Sequence, residues 1–512
     1  MEPAGLPPGS DSRGAETRAA ETRATATRVA SGEPEAGELD ALVDDCLVLV
    51  LQALERPADW RAAGLVCRRL ARLAAATPQV RVEVRTADDA RRAACCPGLR
   101  AARFVAGCPA VAIPLARSLT GLDVSSWAVA ARLDEQLGPP SGPPPGPPSD
   151  PPPGPPSDPL SSPPPGTGLA LRSFRLDLDD RPVPGRLEWA ARAALERFEA
   201  SDAPPGWLAA LGASQGATLE RLAIGPPMLA PMGCWTIRRL DVAALPGLAA
   251  LRCLELRLVA FNDLGPVGRL PRLERLSLYR CAWGGACVGP AGACVGPAGA
   301  RASVAPLAGL AALRDLEIVG QAIGDEGGLA GLALARLALP GCQLRSLAFV
   351  ARMPLRDLDL RGAEVAQRDL APLAGAPVSP AGAPVSPAGA PVSPAATLGR
   401  LVLGGGHWQL RALAACRQLR ALDVAGAGVR HFGWLADQPA LEWLAVRLTG
   451  RGRSSSPAVF TRLPALRTLV VALDGAPGGE WPAAWDDALA ALAARGVLVV
   501  AAPAGWPLGR PP

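Results

Sequence analysis

One six-residue phrase, Leu-x-x-Leu-x-Leu or a near variant, organises most of the chain. It starts at Leu119, Leu171, Leu219, Ile237, Leu251, Leu273, Leu313, Leu334, Leu355, Leu398, Leu419, Leu441 and Leu466. From Leu251 onward the starts keep a near-constant step, except for two steps of roughly double length, Leu273 to Leu313 and Leu355 to Leu398. Both long steps contain tandem inserts, two copies of Gly-Ala-Cys-Val-Gly-Pro-Ala at 285–298 and three of Gly-Ala-Pro-Val-Ser-Pro-Ala at 375–395. With the inserts removed, both fall back into the range of the others. A phrase that keeps phase at about 20–29 residues marks a solenoid of stacked repeats. The step from Ile237 to Leu251 is too short for a full repeat. Either one of those two assignments is wrong or the solenoid is irregular there.

Each phrase reads as a short strand. Alternation along it turns the Leu positions inward and the third, fifth and seventh positions outward. A single repeat cannot bury its own apolar face, but a stack can, with the strands joined in a parallel sheet. Return segments such as Val-Ala-Pro-Leu-Ala-Gly-Leu-Ala-Ala before Leu313 would pack behind it, and the inserts fall in these segments, where extra chain is tolerated. The outward columns are rich in charge. Arg221, Arg239, Arg275, Asp315, Arg336, Asp357 and Arg400 hold third positions, and Asp241, Glu255, Glu317, Asp359 and Asp423 hold fifth positions. Trp443 (third) and Tyr279 (seventh) add aromatic groups of the kind that anchor interfaces. We take Arg239, Asp241, Glu255, Arg275, Tyr279, Asp315, Glu317, Asp357, Asp359, Asp423 and Trp443 as candidate partner-binding residues. The competing reading is that these columns solvate the sheet and pair with one another. Cys281 and Cys342 occupy the ninth position, where such repeats carry Asn or Cys to bond the turn backbone.

Two segments break the pattern. Residues 1–38 carry Glu-Thr-Arg and Ala-Thr-Arg near-repeats with hardly any large apolar side chain, and read as disordered. In 39–77, Leu47, Val50, Leu51 and Leu54 recur at helical spacing behind Asp44 and Asp45, and a second apolar run ends in Val66-Cys67-Arg68. About three short helices fit there, too few for a robust core, and the unit is apolar on more than one face. The remaining divisions are first repeats at 78–137, a Pro/Gly/Ser-rich insert at 138–168, the main solenoid at 169–500 and a tail at 501–512.

Composition narrows the function classes. Of 512 residues, 56 are Gly and 56 Pro, many in the tandem tracts, and such tracts cannot repay their ordering entropy. There is no Lys, and Asn262 is the single Asn. A net charge of +5 with acids interspersed among the arginines lacks the basic stripe of a nucleic-acid binder. No stretch near the N-terminus reads as a signal peptide or a membrane span. The 12 cysteines include no C-x-x-C pair, so a reducing cytoplasmic or nuclear setting is expected. His407 and His431 lack a neighbouring carboxylate and thiol, and the Gly404-Gly405-Gly406 triplet lacks P-loop and dinucleotide spacing. We therefore expect no enzyme activity, metal or cofactor.

From about 99 to 500 the phrase and period together resemble the leucine-rich-repeat superfamily. That resemblance implies an α/β solenoid, a horseshoe with a parallel sheet on its concave face, which binds protein. Residues 39–77 resemble an F-box. Leu42, Asp45, Leu47, Leu51, Leu54, Asp59, Val66, Cys67 and Arg68 match by type and approximate spacing, whereas Val43, Trp60 and Leu70 depart from the pattern. An F-box ahead of leucine-rich repeats implies a substrate receptor of a cullin–RING ubiquitin ligase. Leu42, Asp45, Leu47, Leu51, Leu54, Val66 and Cys67 would contact a Skp-family adaptor bound to the cullin, and the repeats would hold the substrate protein. The alternative is a repeat scaffold with no ubiquitin link, its N-terminal helices capping the first repeat.

Overall fold

The computed structural model describes residues 80–86, 99–104, 120–124, 171–176, 193–201, 206–226, 237–284, 301–374, 394–427, 431–448, 457–473 and 485–502, with single positions 89, 203 and 429. The F-box-like segment, with Leu42, Asp45, Leu47, Leu51, Leu54, Val66 and Cys67, lies outside them. So do residues 1–38, the 138–168 tract, the insert at 285–298 and most of that at 375–395.

The chain divides into two compact units, one formed by 1–139 with 169–171 and the other by 140–168 with 172–512. In the first, β1 (Val80–Val84), β2 (Leu99–Phe104) and β3 (Gly121–Val124) run parallel in chain order. Ala102, Phe104, Leu122 and Val124 are buried. Arg103 and Asp123, paired across the register, approach to 3.9 Å.

The second unit is a long parallel sheet whose strands follow one another in sequence order. Its members are β4 (Ser173–Leu176), β5 (Arg197–Ala200), β6 (Arg221–Ile224), β7 (Cys253–Arg257), β8 (Arg275–Tyr279) and β9 (Asp315–Val319). They continue as β10 (Arg336–Ala338), β11 (Asp357–Leu360), β12 (Arg400–Gly404), β13 (Ala421–Gly426), β14 (Trp443–Leu448), β15 (Thr468–Leu473) and β16 (Leu498–Ala502). The register joins equivalent phrase positions. Leu222, Leu254, Leu276, Leu316, Leu337, Leu358, Leu401, Leu422, Leu444 and Leu469 stand side by side, and each is fully buried. Burying each such Leu contributes roughly 1.5–3 kcal/mol, which only the stack makes available. This is the architecture of a leucine-rich-repeat solenoid.

Return segments complete the core. Most returns between phrases are short 3-10 helices, as at Glu326–Leu329, Ala348–Arg352 and Gly433–Asp437. The 3-10 form covers more distance per residue than an α-helix and suits a short span. Three return segments among the described residues hold α-helix instead, at Trp207–Gln215, Ala458–Thr461 and Asp486–Ala494. Aromatic rings pack together in the outer repeats of this unit and also in the middle, where Phe261 stacks on Trp283. Phe198 packs on Phe174 and Trp207, and Phe460 on Phe432 and Trp485.

The chain leaves each middle strand through a left-handed residue at the eighth phrase position. Gly320, Gly341, Gly362 and Gly405 take it with φ of 73°, 67°, 65° and 58°, and Leu258 and Arg280 adopt it without being glycine. The ninth position then ties neighbouring turns together. The Cys281 thiol donates to the Leu256 carbonyl at 3.1 Å, Cys342 donates to Ile318 at 3.1 Å, and the Gln321 amide donates to the Cys281 carbonyl.

The structure settles the short step at Ile237. The sheet passes directly from β6 to β7, with Leu222 beside Leu254. Arg238–Arg239 instead pairs with Val259–Ala260 in a separate two-stranded ladder. The Ile237 phrase is thus part of a return segment. Conversely, β5 follows from Leu195-Glu-Arg-Phe-Glu-Ala, which the Leu pattern misses because Phe198 and Ala200 fill two inward positions.

Candidate protein-binding face

Outward side chains of β4–β16 form continuous rows, because the in-register sheet places each phrase position beside its equivalent. The third-position row reads Ser173, Arg197, Arg221, Cys253, Arg275, Asp315, Arg336, Asp357, Arg400, Ala421, Trp443, Thr468 and Leu498. In its middle, five successive strands alternate in sign. Arg275 meets Asp315 at 2.9 Å, Arg336 bridges Asp315 at 3.4 Å and Asp357 at 3.7 Å, and Arg400 holds Asp357 at 3.0 Å. The five residues Arg275, Asp315, Arg336, Asp357 and Arg400 therefore pair with each other as well as facing outward.

The fifth-position row alternates acid with small residues. Glu255, Ser277, Glu317, Ala338, Asp359, Val402, Asp423 and Ala445 follow one another across β7–β14. Seventh-position arginines serve some of these acids. Arg257 pairs with Glu255 and, at 3.6 Å, with Glu199; Arg361 closes on its strand neighbour Asp359 at 2.7 Å. Glu255 also takes Arg221 at 2.6 Å. Glu317 accepts from the Ser277 hydroxyl at 3.1 Å, and Asp423 accepts from the Ala425 N–H at 3.0 Å. Neither of these two has an ion pair among the described residues.

Long neighbours shelter the short side chains of this row. Asp359 and Asp423 are 5% and 7% exposed, so they are outward in direction yet buried in fact. Burial pushes the Asp423 carboxyl above the usual carboxylate range, against the N–H of Ala425 and the charge of Arg361. The hydrogen bonds that Arg361 donates to the Asp359 carboxylate raise it above the ordinary guanidinium value. On the same face, burial and the adjacent Glu255 push the Cys253 thiol up. Burial alone carries Cys416, in a return segment, to about 11.

Beyond Arg400 the character of the face changes. Ala425, Trp443, Ala445 and Val470 form an apolar cluster with Ala421 against it, and Trp443 is only 9% exposed. The rows then continue to Leu498 and Val500 on β16, which at 61% and 38% are the exposed large hydrophobics among the described residues.

Of the candidate residues, Glu255, Arg275, Tyr279, Asp315, Glu317, Asp357, Asp359, Asp423 and Trp443 share this face. Arg239 and Asp241 do not. Arg239 donates to Asn262 at 3.0 Å from the separate ladder, and the Asp241 carboxylate accepts the Ala243 N–H at 3.0 Å within its own turn. Their phrase resembles the repeat in composition while its backbone pairs elsewhere. Sequence reading missed Arg257 and Arg361, although the seventh position was recognised as outward. It also missed Leu498 and Val500, because β16 lacks the leading Leu of the phrase. His407 and His431 are exposed on separate turns. Among the described residues, no group of three or more His, Cys, Asp or Glu is placed to hold a metal ion, and no helix is long and apolar enough to cross a membrane.

The chain matches no protein-family profile, and no curated protein matches it in sequence. Similar solved structures include an internalin (InlF) from Listeria monocytogenes str. 4b F2365, with 17% identity and a TM-score of 0.37, covering 61% of this chain and 82% of that one. A second, internalin C2 from the same strain, has 19% identity and a TM-score of 0.24, covering 42% and 68%. A TDR receptor has 13% identity and a TM-score of 0.40, covering 77% of this chain and 59% of the receptor. The leucine-rich-repeat architecture of this chain rests on its own strand register and repeat period.

Proposed function

We propose that the chain is a non-catalytic protein-binding scaffold, and that its outward sheet face holds the partner. The supporting observation is the in-register array of outward rows, which offers charged and apolar groups on one continuous sheet. Balanced charge along the rows favours a protein ligand over a nucleic acid.

The more specific reading makes the scaffold a substrate receptor of a cullin–RING ubiquitin ligase in the cytoplasm or nucleus. It rests on the F-box resemblance of 39–77, above all the Val66-Cys67-Arg68 register ahead of the repeats. In this reading Leu42, Asp45, Leu47, Leu51, Leu54, Val66 and Cys67 dock a Skp-family adaptor. The test is co-purification of the full chain with a purified Skp-family adaptor and its cullin. The expected result is stoichiometric binding, lost when Leu47, Leu51 and Leu54 are changed to Asp while the repeats stay folded by circular dichroism. No binding by a folded wild-type chain would remove the ligase reading and leave a repeat scaffold.

A further inference from the structure

Strand β16 combines two features found together nowhere else among the described residues. It carries the exposed large hydrophobics, Leu498 and Val500, both on the outward face beside Thr468 and Val470. Among the described residues it is also the last strand of the sheet, bonded to β15 on one side alone. In a parallel ladder a residue turns both its N–H and its C=O to the same neighbour, and successive residues alternate sides. The Leu498 N–H donates to the Arg467 carbonyl at 2.8 Å. Val499 and Ala501 consequently direct their backbone groups away from β15.

Natural sheets guard such edges with charge, proline or a bulge. Leu498-Val499-Val500-Ala501-Ala502 holds neither charge nor proline, and its pairing with β15 is regular. We propose that β16 is an acceptor edge, to which an extended partner segment with alternating apolar side chains adds as a further strand. The backbone groups of Val499 and Ala501, which have no partner strand among the described residues, supply main-chain hydrogen bonds. The apolar rows ending at Leu498 and Val500 supply adjacent places for every second side chain of the incoming segment. With no charge on the strand, selection rests on that two-residue period. This proposal names the partner class of the outward face and so rests on the scaffold reading above.

The test uses the full-length chain and a phage-displayed library of random ten-residue peptides. Enriched peptides are synthesised and their affinity is measured by fluorescence anisotropy. The expected peptides alternate apolar and polar residues, and N-methylation of every second amide weakens them about tenfold or more, while methylation of the intervening amides does not. Leu498→Lys, at a position already exposed, gives a similar loss without changing thermal melting, and Arg417→Glu, exposed in a return segment away from the outward face, leaves affinity unchanged. Peptides that ignore Leu498→Lys but respond to Arg336→Glu would overturn the edge proposal while keeping the scaffold reading. Failure to enrich any binding peptide would also overturn it, while the adaptor experiment bears on the ligase reading alone. A concentration-dependent dimer in sedimentation, abolished by Leu498→Lys, would assign the edge to a second copy of the chain instead.

Discussion

Strands β8–β12 and β13–β16 have alike inner faces and unlike outer ones. Inward, Leu276, Leu316, Leu337, Leu358 and Leu401 of the first group continue without interruption into Leu422, Leu444 and Leu469 of the second, all fully buried. Outward, the first group carries the Arg275–Asp315–Arg336–Asp357–Arg400 ladder, and the second carries Ala421, Trp443, Thr468 and Leu498 in the same row. The fold is insensitive to that exchange because the strands are held by the inner face and the backbone ladder. Exposed ion pairs add little, about 0–1 kcal/mol each. The outer face is thereby free to vary, and it is where one region of the sheet can be distinguished from another.

The strongest test of the shared inner face is a matched pair of cavities. Leu358→Ala in the charged half and Leu469→Ala in the apolar half should each lose about 2–5 kcal/mol by denaturant unfolding. A loss confined to one half would mean that the two regions are not built on one core. Cooperative unfolding of the whole unit is the condition for that reading, so coincident transitions by fluorescence and circular dichroism should accompany it.

Charge reversal should separate the halves at smaller magnitude. Arg336→Glu sets three carboxylates side by side with Asp315 and Asp357, and should lower stability by about 1 kcal/mol, discounted for the partial exposure of these groups. The loss should shrink in concentrated salt, about 1 M, where the Debye length falls to about 3 Å. Thr468→Glu in the same row lies between Trp443 and Leu498, so its effect should scarcely respond to salt. Equal salt dependence in both would dissolve the distinction.

Asp423 stands at the boundary and gives the smallest effect, read through pH. Its folded-state carboxyl titrates above the usual range because of burial, so the ionised form is disfavoured in the folded protein at neutral pH. Asp423→Asn keeps an acceptor for the Ala425 N–H and removes that charge. The variant should melt at a higher temperature at pH 7. The gain should vanish as pH falls below the ordinary carboxylate range, where Asp423 is protonated in folded and unfolded chains alike. A gain that persists at low pH would point to packing and not to ionisation.

Much of this was legible in the sequence for a definite reason. A side chain that must be buried at a fixed period leaves a pattern, and Leu251, Leu254 and Leu256 repeat as Leu273, Leu276 and Leu278. The ninth-position cysteines were legible likewise, because the turn needs a small polar group facing the preceding strand. Ile237 misled because two residues of pairing, Arg238–Arg239 with Val259–Ala260, demand far less pattern than a full strand. The β5 phrase hid because Phe198 serves burial as well as Leu does.

The sequence alone determined the repeat, its period, the inward positions and which residues stand in the outward columns. Those follow from local alternation and from the requirement that one face be dry. Tertiary structure decided which columns lie side by side, that Arg275, Asp315, Arg336, Asp357 and Arg400 pair with one another, and that Asp359 and Asp423 are sheltered. It also decided that Leu498 and Val500 lie exposed on the last strand of the sheet. Partners in a parallel sheet are residues a whole repeat or more apart in the chain, and their distances arise only when the strands are stacked.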